Sequence, residues 1–301
     1  MKAANEVIAL CLMMAFGIYG RKKAFIDDKV EKGLNSMLVN MILPMSIINS
    51  FCMEYDPNII DNCKKLIIFS LIIHTLCLVL SKFIFFKTEK KKQAVFRFMV
   101  TFSNCAFMGF PILGSIYGDI GIFYASIFNI VFHIYAWTFG VALFNTDMPL
   151  KESMKNIIKN KAIWSVIIGA FIFVFQIQLP SSIGSVVKNV ASITTPLSMI
   201  IIGSMLCSSN IKDVLKDYSL YVVSLIRLVL IPLIIFIVMN LFNIDKILIA
   251  VPTLIMAMPG AAICPVIANA NDGDGQLASK CIFMTNILSV ITIPIFMNLV
   301  A

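Results

Sequence analysis

Apolar residues recur along this chain in runs of about twenty, ten times over, with only short polar connections between them. The runs cover approximately 4–20, 33–53, 65–86, 96–118, 120–145, 162–179, 185–208, 217–241, 246–270 and 276–299. A helix of about twenty residues crosses the ~30 Å hydrocarbon core of a bilayer. In water the same runs would leave apolar patches far larger than soluble monomers tolerate. The longest polar connection, 147–161, is too short for a soluble domain. Composition agrees, with 59% of residues in the AVILMFWYC set, 13% charged and a mean hydropathy of +0.94. The expected fold is all-α and integral to the membrane, with ten transmembrane helices.

The net charge of +8 would suggest nucleic acid in a soluble chain. Here the basic residues cluster between the apolar runs, as in Arg21-Lys22-Lys23, Lys90-Lys91-Lys92 and Lys155/Lys159/Lys161. Eighteen of the 24 Lys and Arg fall at the connections that follow odd-numbered runs and five fall on the opposite side; Arg227 lies inside the eighth run. Positive charge is retained on the cytoplasmic side. The bias therefore predicts an even helix count with both termini outside the cell membrane, and no nucleic-acid partner. The first basic cluster follows its apolar run, the order of a retained helix and not of a cleaved signal peptide. Eight cysteines without C-x-x-C spacing read as buried thiols, with Cys52 and Cys63 the one pair placed for a disulfide.

Similar residues return at a near-constant offset. Pro44-Met45-Ser46 answers Pro196-Leu197-Ser198 and Gly17 answers Gly169, both 152 residues apart. Pro111 and Pro265 are 154 apart, and Gly121, Ala125 and Ser126 match Gly275, Ala278 and Ser279 at 153–154. This predicts two five-helix repeats, 1–146 and 162–301, joined by a cytoplasmic connection 147–161. An odd number of spans per repeat inverts the second, and inverted repeats place a transporter's site near the midplane.

Two runs carry Pro and Gly in their middles: Asn104-Cys-Ala-Phe-Met-Gly-Phe-Pro111 and Met258-Pro259-Gly-Ala-Ala-Ile-Cys-Pro265. Proline removes a backbone donor and glycine weakens a helix by ~1 kcal/mol. Freed backbone groups at membrane depth survive only where protein or a wet cavity satisfies them. Broken crossover helices 4 and 9, at matching points of two repeats, therefore mark the candidate site.

With Tyr117-Gly118, the Arg227…Pro232 pairing and Ala278-Ser279, these motifs resemble the auxin efflux carrier family of bacterial and plant permeases, over essentially the whole chain. The resemblance implies a ten-helix fold akin to the bile acid:sodium symporters, with a transport domain moving against a scaffold. It also implies that Asn104, Pro111 and Pro265 inherit a carboxylate-binding role. The long cytoplasmic loop of many plant carriers is missing, and Met258 stands where a second asparagine would match Asn104. Gly109, Pro259 and Gly260 of the same breaks, together with Arg227, complete the candidate substrate-binding residues.

All sixteen acidic residues fall in connections or at run ends, with Asp119, Asp272 and Asp274 nearest the breaks. An organic cation would want a buried counter-charge, whereas half-helix N-termini suit a carboxylate. Arg227, deep in the eighth run, either neutralises substrate or holds freed carbonyls near Pro232. His74 and His133 could couple protons or simply be hydrogen-bonded, while Asn129, Thr285 and Asn286 suit bonding between helices. No zinc spacing, phosphate loop or catalytic triad order occurs, so neither enzyme activity nor a cofactor or metal is expected. The expected function is a secondary carrier moving a small organic anion by alternating access. A sodium-coupled symporter and a non-transporting membrane sensor are the alternatives. Partners are then the anion, the bilayer and a coupling ion, H+ or Na+, with a homodimer left open.

Overall fold

A computed structural model describes residues 2–54, 56–144, 150–205, 216–242, 244–271 and 273–300, with backbone alone at 2–7, 11 and 150–153. Asp272 and Cys207 lie outside the described residues, as does the side chain of Cys11. The helices are α1 (Lys2–Lys22), α2 (Asp28–Met37), α3 (Leu43–Phe51), α4 (Pro57–Ile84), α5 (Lys90–Thr101), α6 (Phe110–Tyr117), α7 (Asp119–Tyr135) and α8 (Leu150–Ile158). They continue with α9 (Lys161–Val174), α10 (Ser181–Ser192), α11 (Thr194–Met205), α12 (Tyr218–Leu225), α13 (Ile231–Asn240), α14 (Lys246–Ala257), α15 (Cys264–Ala270) and α16 (Gly275–Val300). Among the described residues the apolar runs are mainly helical, with runs 96–118 and 246–270 interrupted at 102–104 and 258–263, and α8 adds a helix inside the expected connection. Among the described residues six helical stretches are long and apolar enough to cross a membrane unaided: Asp28–Phe51, Pro57–Ile84, Asp119–Gly140, Ser181–Met205, Tyr218–Asn240 and Gly275–Val300. Cys105–Tyr117, Lys161–Val174 and Lys246–Ala257 are shorter apolar helices. The chain is a multi-pass membrane protein.

Acidic residues absent from the spans reappear as helix caps. Asp27, Asp56, Asp217 and Asp274 each accept a backbone N–H in the first turn of α2, α4, α12 and α16, at 2.7–3.0 Å. Such caps satisfy donors that a helix start leaves unpaired. Prolines leave a second signature. Widened π-type turns occupy Leu38–Ile42, Cys105–Gly109 and Ile226–Leu230, and each ends two residues before Pro44, Pro111 or Pro232. Proline frees the carbonyl four residues back, and the wider turn absorbs that lost bond without ending the helix. Pro252 sits inside α14 without ending it.

The helices pack in two sets. In one, α1 lies along α11 and α9 along α3. A Cβ on Gly17 would strike the Ile200 carbonyl and one on Gly203 the Met14 carbonyl, so α1 and α11 touch backbone to backbone. Gly169 meets the Phe51 ring in the α9–α3 pair. In the other set α4 packs on α5, α7 and α14, and α16 packs on α12, α14 and α15. Phe51, Phe98, Phe102, Phe123 and Phe128 are buried between helices, while Phe16, Ile68, Phe171 and Ile234 point outward, as lipid-facing residues do. Cys52 and Cys63 are free thiols and form no disulfide.

Replacing Gly17 with Ala should destabilise the protein by about 1–3 kcal/mol through overpacking. Gly33→Ala, which meets nothing within 4 Å, should instead gain up to ~1 kcal/mol of helix propensity. Thermal unfolding of both variants in detergent checks the contrast.

Candidate functional site

Helix α5 stops at Thr101, and Phe102 takes an extended conformation (φ −107°, ψ 125°). Helix α14 stops at Ala257 and Met258 does the same (φ −68°, ψ 153°). The two broken strands cross and pair. Ser103 and Gly260 form an antiparallel bridge, the Asn104 N–H donates to Pro259 O at 2.8 Å and the Ala261 N–H donates to Phe102 O at 2.9 Å. Each break thus supplies the backbone partners that the other lacks. Beyond the crossing, helix resumes through the Cys105–Gly109 turn into α6, and through α15. Pro265 occupies the first turn of α15, where a missing N–H costs nothing, whereas Pro111 follows the widened turn that leads into α6 and absorbs its lost bond.

Arg227 completes the crossing. It is fully buried; its Nε donates to Met258 O at 3.0 Å and one terminal nitrogen donates to Val100 O at 2.9 Å. Both acceptors sit at the C-terminal ends of the broken half-helices. One side chain therefore braces both breaks: Arg227 bonds freed carbonyls, those of Val100 and Met258 at the crossing and not ones near Pro232. Thr285 has a related task, accepting the Gly260 N–H at 3.3 Å.

Beside the crossing is a cavity of about 560 Å³. From the crossover it is lined by Ser103, Asn104, Cys105 and Ala261–Ile263, from α7 by Asn129 and His133, and from just beyond α7 by Trp137. It is also lined by Asn35 from α2 and Asn40 from the widened turn after it, with Asn156, Lys159, Asn160 and Lys161 from the basic connection and the start of α9. It therefore opens on the face that bears the basic clusters. Asn104 Oδ1 accepts the Phe107 N–H at 3.4 Å as an N-cap, which leaves its Nδ2 to donate. The side-chain oxygen of Asn129 is buried and has no protein partner. Among the described lining residues none is acidic.

Of the seven residues singled out in sequence, Asn104 lines the cavity; Gly109, Pro111, Pro259, Gly260, Pro265 and Arg227 build or brace the crossing and do not line it. Met258 presents its carbonyl to Arg227 and buries its side chain, so the second break offers the cavity only Ala261, Ala262 and Ile263. His74 lies outside the cavity, with Nδ1 2.8 Å from Ser70 O and its ring among Phe102, Phe128, Phe132 and Tyr135. The ring of asparagines at the mouth was not singled out in the sequence. Its signal lay in amides at run ends on the basic side, beside lysines that read only as a topology marker.

A family of membrane transport proteins matches residues 3–152 and 148–297, nearly the whole chain. The chain belongs to that family, the one that includes the auxin efflux carriers. An uncharacterized transporter of Methanothermobacter thermautotrophicus is 27% identical to this membrane transport protein over 195 residues, 64% of this chain and 63% of the relative. The match thus spans just under two thirds of that relative's length.

Arg227→Gln should lower thermal stability by about 3 kcal/mol or more, because buried carbonyls lose a charged donor. Arg227→Lys should recover part of it. Unfolding of ligand-free protein in detergent reads this directly, and an unchanged midpoint for the Gln variant would remove the bracing role.

Proposed function

We propose that this membrane transport protein is a secondary carrier for a small organic anion, a carboxylate, working by alternating access. The observation that carries the reading is the cavity itself. It reaches the crossing from the basic face, is lined by six asparagines, two lysines and a histidine, and has no acidic residue among those described. Amide N–H groups and lysines donate to a carboxylate; an organic cation would find no counter-charge among the described lining residues. The cavity of about 560 Å³ suits a small molecule.

The ten-span, inverted-repeat arrangement belongs to the same proposal. Helix α1 against α11 and α9 against α3 are equivalent pairs under the 152-residue offset. Gly17 and Gly203 in one pair correspond to Gly169 and Phe51 in the other. Such internal two-fold packing supports a device in which one set of helices rocks against the other around the site. On the face away from the basic clusters, Asn49 of α3 donates to Asp119 of α7 at 3.2 Å and ties the two sets together. With positive charge inside, the termini lie outside the cell and the cavity faces the cytoplasm.

Purified protein in liposomes should take up labelled carboxylates and exclude organic cations of similar size; equal uptake of both would end the anionic reading. Asn104→Ala should raise KM about tenfold or more, consistent with ~1.4 kcal/mol or more for a charged hydrogen bond. Replacing sodium with potassium in the same assay separates a sodium-coupled symporter from the alternatives.

A further inference from the structure

His133 and Asn160 meet across the cavity wall, and their contact admits one protonation state. Asn160 is the N-cap of α9, with Oδ1 accepting the Ala162 N–H at 2.9 Å. The cap fixes the amide, since turning it would set an NH2 group against an N–H. Its Nδ2 then lies 2.9 Å from His133 Nδ1. An NH2 group donates and never accepts, so Nδ1 must be the acceptor and carry no proton. In an imidazolium both nitrogens donate, and the contact becomes donor against donor. His133 belongs to α7, which packs on α4, α6 and α14 in the crossover set and also meets α3 of the other set, whereas α9 packs chiefly on α3. The bond therefore ties the two helix sets together at the cavity, and only while His133 is neutral.

The surroundings of His133 decide what a proton there would need. Lys161 faces the cavity from the start of α9, Lys159 from the turn before it, Asn156 from α8, Asn35 from α2, Asn40 from the widened turn after α2, and Cys105 from the crossover. No described carboxylate lines the cavity. Among the described residues a proton on His133 thus meets no carboxylate in the cavity, and an anion entering it would supply a counter-charge.

We propose that His133 is the proton site of a proton–anion symport, in which the proton releases α7 from Asn160 and the cargo anion balances the imidazolium. Uptake of either partner then raises affinity for the other by the same factor. One hydrogen bond biases the empty carrier without barring its return. The proposal rests on the carrier reading above, but its first two tests need no substrate.

The first test is the tautomer. Nitrogen NMR of 15N-histidine-labelled protein at neutral pH should show His133 protonated on Nε2. His74, whose Nδ1 must donate to the Ser70 carbonyl, should be protonated on Nδ1. A His133 proton on Nδ1 overturns the proposal. The second test uses Asn160→Asp, which keeps an N-cap of equal quality but turns the donor into an acceptor. Relative to the wild type, its unfolding midpoint in detergent should rise at low pH and fall as pH climbs through the imidazole range. A parallel difference at all pH values overturns the tie. The third test is flux. External acid should stimulate carboxylate uptake several-fold in the wild type. It should not do so in His133→Gln, whose side-chain oxygen accepts from Asn160 at every pH. Equal stimulation of both overturns the coupling. Absence of any carboxylate flux from the wild type removes the symport together with the carrier reading, while the first two tests still decide whether the tie exists.

Discussion

Backbone polar groups inside a bilayer have no water to fall back on, and the structure is organised around that fact. Two helices break in the middle of the protein, and each break strands carbonyls at one end and N–H groups at the other. The backbone bonds between Phe102–Asn104 and Pro259–Ala261 settle part of the debt, and Arg227 settles the carbonyls of Val100 and Met258. Without the crossing there would be no irregular backbone at this depth, and without that backbone the cavity beside Asn104 would be lined by continuous helix.

The same accounting explains features that look unrelated in the sequence. Three widened turns precede prolines because a helix that loses one bond can spread the loss over a wider turn instead of ending. Aspartates sit at helix starts because that is where a carboxylate does useful work at low desolvation cost. The scarcity of acids in the spans and their abundance at helix starts are thus one observation, and a cavity with no acid among its described lining residues follows from it.

Much of this was legible in the sequence, and the limits are physical. The helices fell where apolar length placed them, because a bilayer leaves a run of twenty apolar residues few alternatives. Asn104, Pro111, Pro259 and Pro265 marked the two breaks, since proline and glycine in mid-span demand an explanation. The direction of Arg227 was not legible: reaching Val100 requires α5 and the turn after α12 to be neighbours, a tertiary fact separated by 127 residues. The asparagines at the cavity mouth were equally hidden. Asn35, Asn40 and Asn156 look like ordinary polar ends of helices until folding turns them toward one space. His133 carried no distinguishing mark over His74; what separates them is that one faces an amide in a cavity and the other a ring of aromatics.

The placement of Arg227 also has an electrical consequence. Helices α5 and α14 both point their C-terminal ends at the crossing, and a helix end of that kind carries about half a negative charge. Two of them amount to roughly one electron's worth of field, and the guanidinium buried between them carries the opposite charge. The crossing is thereby neutralised from behind, leaving the positive N-terminal ends beyond the breaks as the uncompensated poles. Arg227, though it does not line the cavity, sets the background potential beside it.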